Sequence, residues 1–299
     1  MNEEKTNHQI LFGDTLQILP DLPEKTIGFV VTSPPYWQIK DYENDGQIGK
    51  EQPYEEYLSD LTKVWKQCHR LLKPGCRLAI NIGDQYLRAK DYGRYRIQPI
   101  PADTIRICRK LGFDFMGNII WRKVSTTNTT GGGTWMGSTY HPKDGHITYE
   151  HEYILLFRKM GDWPDPTPEQ KEKSKLTKQQ RSRWFRGYWE LSPDRQDDHI
   201  AKFPVELPKR LIKMYSFWGE TVLDPFLGSG TTTLAAKKTG RNSIGVELNE
   251  DFSPIIKEKL KIKNDLFGEV QTVENKEIYE NENTVIELNG HTIKEMSSV

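Results

Sequence analysis

Asp224-Pro225-Phe226-Leu227-Gly228-Ser229-Gly230-Thr231-Thr232-Thr233 decides how this 299-residue chain is read. The apolar run Thr221-Val222-Leu223 before it reads as a strand, and Thr231 to Thr239, stopped by Gly240, reads as a helix. A glycine-punctuated loop between strand and helix is where a doubly wound sheet holds ligands, at the C-terminal ends of its strands. Gly228 and Gly230 permit positive φ and a close approach of backbone to ligand. A P-loop would carry a lysine after its last glycine, where Thr231 stands here. A dinucleotide fingerprint would need a third glycine where Thr233 stands. What fits is a nucleoside with little phosphate to cradle. Glu247 ends the next apolar run, Ser243 to Val246, 17 residues after Gly230. Its carboxylate suits vicinal ribose hydroxyls, because an ionised carboxylate only accepts hydrogen bonds. The plain alternative is a tight turn followed by a surface glutamate.

A second punctuated strand end lies far upstream. Ile27-Gly28-Phe29-Val30-Val31 runs into Thr32-Ser33-Pro34-Pro35-Tyr36-Trp37, where the prolines must end the strand because neither can donate to a ladder. This stretch suits a flat base carrying an amino group. Such an amine is a poor nucleophile, since its lone pair is delocalised into the ring. If its N–H groups donate to the Ser33 hydroxyl and the Pro34 carbonyl, the nitrogen can pyramidalise and its lone pair localises. Proline's fixed φ aims a carbonyl that no helix or ladder claims. Tyr36 can stack on the base and favour positive charge on nitrogen, a cation–π effect of roughly 0.5–2 kcal/mol. Alignment with a methyl donor would supply most of the acceleration, about 7–11 kcal/mol. The plain alternative is a turn that merely ends a strand.

Outward from these two loops, strands alternate with helices, which predicts an α/β fold with a doubly wound, mostly parallel sheet. Gln9 to Phe12 reads as a strand ending at Gly13-Asp14, with a short helix from Thr15 to Leu19. Tyr54 to Leu72 has helical spacing, introduced by Pro53 and stopped by Pro74-Gly75. Arg77 to Ile82, Phe115 to Trp121 and Tyr149 to Arg158 read as strands, and Ala102 to Lys110 and Val205 to Tyr215 as helices. Ser125 to Gly145 is a glycine-rich loop, expected to be mobile. Gly161 to Asp198 shows no clean period and reads as an insertion. A charged helix from Pro254 to Lys263 follows the strand at Ser243. The tail reads as weakly ordered apart from a hairpin at Thr284 to Lys294 turning at Asn289-Gly290.

Composition narrows the setting. The chain carries 42 basic and 42 acidic residues, so global charge gives no argument for nucleic acid. The distribution does: Arg158 to Arg186 holds nine Lys/Arg against four Asp/Glu, and Asn264 onward holds eight acidic residues against two lysines. Segregation of this kind suits an anionic partner docked on one part of the surface. No apolar run reaches bilayer length. Met1-Asn2-Glu3-Glu4-Lys5 has no export signal, and Cys68, Cys76 and Cys108 lack the spacing of a zinc or redox site. A reduced, cytoplasmic setting is expected. The seven histidines lack a ligand spacing, so no metal is assigned.

On Asp224-Pro225-Phe226, Gly228-Ser229-Gly230-Thr231-Thr232 and Thr32-Ser33-Pro34-Pro35-Tyr36, the chain resembles the amino-group DNA methyltransferases of the permuted β class, as found in type II restriction-modification systems. In that class the catalytic half precedes the cofactor half. The resemblance covers roughly Ile10 to Arg158 and His199 to Phe252. It implies a circularly permuted class I methyltransferase fold with S-adenosyl-L-methionine as cofactor and duplex DNA as partner, the target base being flipped out. Ser33, Pro34, Pro35 and Tyr36 would be catalytic. Asp14, Phe203, Asp224, Phe226, Gly228, Ser229, Gly230, Thr231 and Glu247 would bind the cofactor, with Asp14 on the adenine amine and Phe203 and Asp224 near the methionine end. Residues 1–158 would form the catalytic half, 199–263 the cofactor half and 264–299 an acidic extension. Ser before Pro-Pro is usual for cytosine N4 in this family, Asp or Asn for adenine N6, which stays open as the alternative. A companion restriction endonuclease is implied as well.

Target recognition is expected in 159–198 together with the 125–145 loop. Lys178, Arg181, Arg183 and Arg186 would hold phosphates, and Asn128 would close over DNA. The competing reading for Trp184 and Trp189 is that they anchor the insertion to the core. Cytosine C5 chemistry is excluded, since it needs a cysteine after proline and none of the three follows one. Two other functions compete: methylation of RNA or a protein glutamine, and a nucleic-acid-binding module without catalysis.

Overall fold

A computed structural model of the chain describes residues 5–37, 47–123, 147, 149–192, 204–262, 271–273, 276–281 and 284–290. The chain opens with β1 (Thr6–Phe12), α1 (Thr15–Asp21) and β2 (Ile27–Thr32). Next, α2 (Tyr54–Leu71) buries Tyr57, Leu61, Val64, Trp65 and Cys68 on one stripe, the spacing the sequence predicts. β3 (Leu72–Ile82) leads into a small antiparallel hairpin, β4 (Gln85–Leu87) and β5 (Arg96–Gln98), with α3 (Ala89–Tyr92) between its strands. The first half ends with α4 (Ile100–Lys110), β6 (Phe113–Lys123) and β7 (His151–Lys159). The insertion forms α5 (Pro168–Lys173), α6 (Lys178–Trp184) and β8 (Tyr188–Leu191). The second half follows as α7 (Glu206–Tyr215), β9 (Thr221–Asp224), α8 (Thr231–Lys237), β10 (Asn242–Glu247) and α9 (Ser253–Lys259). β11 (Gln271–Val273), β12 (Lys276–Asn281) and β13 (Thr284–Gly290) come last.

Eleven strands share one sheet in the order β11-β12-β13-β1-β10-β9-β2-β3-β7-β6-β8. From β13 to β3 every neighbour is parallel, and β7 alone runs against both β3 and β6. β2 is buried along its whole length, so both of its faces must be covered. Ile27 and Val30 join the core beneath α1, α2 and α4, whereas Phe29 and Val31 join the core beneath α7 and α8. β9 opens the second half yet lies at the centre beside β2, and the winding reverses between them. Ligands bind such sheets at that switch point, above the C-terminal strand ends. No described helix is long and apolar enough to cross a membrane.

Two regions differ from the sequence expectation. The insertion is ordered by two capping boxes, Thr167 with Gln170 and Thr177 with Gln180. Its β8 then extends the sheet beside β6 in parallel. The tail does not turn at Asn289-Gly290: Asn281 pairs with Thr284, and Asn289-Gly290 ends β13 beside Leu11 and Phe12 of β1. The cause is burial. Ile286 and Leu288 point into a cluster with Ile10, Phe12, Ile256 and Leu260, and a one-residue slip would turn them to solvent.

Candidate active site

Above the C-terminal ends of β1, β2, β9 and β10 lies a pocket with about 680 Å³ of empty space, partly open to solvent. One wall comes from the loop after β9. Gly228 has a φ of +56°, and a Cβ there would meet no protein atom within 4 Å, so its bare backbone faces open space. Its N–H donates to Glu247 Oε2 at 2.6 Å, and Asn249 N–H donates to Oε1 at 3.0 Å. These two bonds hold the carboxylate at the pocket edge with further lone pairs to offer. Burial pushes the Glu247 carboxyl above its usual range, against the pull of the two backbone donors.

The opposite wall comes from the end of β1. Asp14 caps α1 by accepting from Leu16 N–H at 2.8 Å and also lines the pocket. Beside it, the Thr15 hydroxyl is buried without a hydrogen-bond partner. Phe226 and Phe252 add apolar surface. Among the described lining residues the only charged side chains are the carboxylates Asp14 and Glu247. That suits a nucleoside bearing a positive charge and disfavours one bearing phosphates. The donor set therefore fits S-adenosylmethionine.

Ser33 and Pro35 line this same pocket. The two loops that the sequence singles out thus share one cleft. Pro35 has its carbonyl taken by the Tyr57 hydroxyl at 3.0 Å, whereas no described donor takes the Pro34 carbonyl. Trp37 is buried and anchors the turn through Nε1–H to Gln52 O at 2.7 Å. Below the turn, Asn81 Nδ2 lies 3.5 Å from Ser33 Oγ, 3.4 Å from the Tyr36 hydroxyl and 2.7 Å from Glu152 Oε2. Lys123 pairs with the other Glu152 oxygen.

Several residues expected on the cofactor are not among the residues lining this pocket. Asp224 is buried and off the pocket lining, accepting from Thr32 Oγ1 and Thr232 Oγ1 at 2.6 Å each and from Phe226 N–H at 3.1 Å. It pins the clamp strand to the cofactor loop. Ser229 and Thr231 are held by Lys259 Nζ, at 2.5 and 2.9 Å, and Gly230 packs on Ile256. Phe203 and Asn128 lie outside the described residues, as does the loop centred on 125–145.

Residues 27–258 match the DNA methylase family of N6/N4 methyltransferases. This chain belongs to that family. M.MjaI, a type II methyltransferase of Methanocaldococcus jannaschii, is 36% identical over 292 aligned positions, covering 88% of this chain and 94% of the relative. M.MthZI, a type II methyltransferase of Methanothermobacter thermautotrophicus, is 35% identical, covering 88% and 80%. A putative DNA modification methylase of Thermus thermophilus, TTHA0409, solved with S-adenosyl-L-methionine, superposes with a TM-score of 0.69 at 41% identity over 85% of this chain and 95% of that one. The fold is the circularly permuted class I methyltransferase fold with an inserted variable region, and the protein is an S-adenosylmethionine-dependent DNA methyltransferase.

The basic insertion of this methylase extends the sheet beyond β6. Trp184 and Trp189 are buried beneath α7, where Arg210 approaches both rings. Phe185 packs on Tyr215, which in turn meets Phe29 and Arg77 near the beginnings of β2 and β3. Lys178, Arg181 and Arg183 stand on α6 and Arg186 just after it, and β8 then runs beside the C-terminal end of β6 at the sheet edge. Nearer the clamp, the β4–β5 hairpin rises from the end of β3 and exposes Lys90, Arg94 and Arg96. The signal for these three cations lies in the sequence, where with Arg88 they make four basic residues in the nine positions 88–96. Sequence alone does not single out Asn81 and Glu152, although each lies at a strand end facing the clamp. All three cysteines are buried, which pushes the Cys76 thiol up to about 11 and leaves none poised as a nucleophile.

Proposed function

We propose that this methylase is a β-class enzyme that methylates N4 of cytosine within a short duplex sequence, the target base being turned out of the helix into the cleft between Ser33 and Glu247. The observation that carries this reading is that Ser33 lines the same pocket as Gly228 and Glu247. In the proposal, Glu247 takes the ribose hydroxyls, Asp14 the adenine amine, and Phe226 and Gly228 line the nucleoside. Bound there, S-adenosylmethionine supplies an electrophilic methyl group. Ser33 Oγ and the free Pro34 carbonyl accept from the two amine hydrogens, so the nitrogen lone pair localises, and Tyr36 covers the ring face. Asp224 holds both loops in register rather than touching the cofactor.

The same reading places duplex phosphates against Lys90, Arg94 and Arg96, exposed cations of the hairpin that follows β3. The insertion carrying Lys178, Arg181, Arg183 and Arg186 would touch only flanking duplex, if any. Relatives named type II methyltransferases are in line with a companion restriction endonuclease. Ser33 favours cytosine; adenine N6 is the alternative. DNA from cells expressing the protein, digested to nucleosides and weighed by mass spectrometry, is expected to contain N4-methylcytosine. N6-methyladenine in its place would overturn the base assignment.

A further inference from the structure

We propose that Tyr86, Tyr95, Tyr149, His151 and Tyr153, a row of aromatic rings beside the β4–β5 hairpin, form a stacking surface for the unpaired bases left in the DNA once the target is turned out. This rests on the DNA contact proposed for the hairpin cations. The row is continuous. Between ring centroids, Tyr95 lies 6.1 Å from Tyr86, Tyr86 5.7 Å from Tyr149, Tyr149 5.4 Å from His151, and His151 5.1 Å from Tyr153. It joins the separate β4–β5 sheet to β7. Tyr149 N–H donates to the Tyr86 hydroxyl at 2.7 Å, and that hydroxyl donates to Ile147 O at 2.8 Å. Alternation along the extended chain keeps Tyr149, His151 and Tyr153 on one face, while Glu152 turns to the other and meets Asn81. All five rings are only half-buried. Aromatics that merely fastened the hairpin would be closed off, as Trp184 and Trp189 are beneath α7.

Charge selects the occupant. Residues 84–96 hold four cations against two acids, Asp84 and Asp91, and Arg88 pairs with Asp91 at 3.1 Å. Past the other end of the row, Glu150 lies 3.6 Å from Arg122. The hairpin also reaches the clamp: Tyr92 on α3 meets Trp37, the residue after Tyr36, with ring centroids 6.0 Å apart. One small element thus carries cations for a phosphate backbone, touches the turn that takes the target base, and supplies two rings of the row. Cations that track a backbone beside rings that stack on bases are how single strands are held, because every base has a π face. A paired base hides that face in the duplex stack, and an unpaired one offers it.

The probe is a mixed-sequence single-stranded oligodeoxynucleotide, with the fully paired duplex of the same sequence beside it, titrated by anisotropy over a range of salt. Tyr149→Ala is expected to weaken single-strand binding at least about fivefold, the scale for losing one stacked base. Its duplex Kd should stay within about twofold of wild type, and its salt slope should not move, because a ring neutralises no phosphate. Tyr149→Phe keeps the ring and should bind as wild type does. His151→Ala should repeat the loss, and it carries the test should Tyr149→Ala fail to bind S-adenosylmethionine as a folded protein does. An unchanged single-strand Kd, an equal loss on the duplex, or a fallen salt slope would overturn the proposal. So would a wild-type protein that does not bind the single strand. The phosphate reading fails separately: it falls if Ala at Lys90, Arg94 and Arg96 leaves the duplex salt slope unchanged, while a ring-dependent single-strand Kd still supports the row.

Discussion

Ser33 and Asp224 end neighbouring strands and do opposite things: one offers an oxygen to the pocket, the other hides its oxygens in the core. Ser33→Ala removes one acceptor at the reacting nitrogen. It should lower kcat about a hundredfold, the scale for losing one preorganised group at a reacting centre, with calorimetric binding of S-adenosylmethionine unchanged. Asp224 has a different signature. Burial lifts its carboxyl to about 6, against the pull of Thr232, Thr32 and the Phe226 N–H. A carboxyl raised above its unfolded value near 3.9 binds its proton more tightly in the folded state, so its contribution to stability is greatest below pH 4 and is lost as pH rises through 6. Asp224→Asn cannot titrate. The stability of wild type relative to this variant should therefore drop by up to about 3 kcal/mol between pH 4 and pH 7, read from urea unfolding at each pH. A difference that stays flat across that window would show that Asp224 ionises as freely folded as unfolded.

At the level of elements, the proposed duplex contact chooses between two basic pieces. The β4–β5 hairpin stands beside the clamp, and α6 stands at the far edge of the sheet. Replacing Lys90, Arg94 and Arg96 with Ala should lower the salt slope of duplex binding by up to about 3, at roughly 0.9 for each phosphate no longer neutralised. Replacing Lys178 and Arg183 should leave that slope unchanged; anisotropy titrations over a range of salt decide between them. The elements themselves were mostly legible, because α2, β2 and β9 each bury a face that their own residues announce. The insertion was less so, since its helices are set by Thr-x-x-Gln caps over a single turn rather than by an apolar stripe. The clamp and the glycine loop could be read as chemistry from local sequence. Asp224 could not, because its partner Thr32 lies 192 residues away. Nor could β13, whose register comes from β1 and not from the Asn-Gly pair that looks like a turn.

Across the whole molecule, the order of the halves matters less than the sheet that joins them. β9 and β2 are neighbours, Thr32 is bonded to Asp224, and the last strand lies against the first. Ile286, fully buried between β1 and α9, belongs to this closure. Ile286→Ala should cost about 2–5 kcal/mol in urea unfolding, a core-sized penalty from a segment whose composition reads as an acidic tail. Because the pocket is lined from β1, β2, β9 and β10 together, cofactor binding should be linked to folding of the entire sheet rather than of one half. S-adenosylmethionine at one hundred times its Kd should stabilise the protein by about 2.7 kcal/mol, seen as one cooperative transition shifted upward. Glu247→Ala removes the acceptor that Gly228 and Asn249 hold in place, and most of that shift should vanish. Ser33→Ala should retain all of it, since its oxygen serves the base and not the cofactor. If only part of the transition moved with cofactor, the two halves would be folding as separate units, and the Thr32–Asp224 link would not couple them.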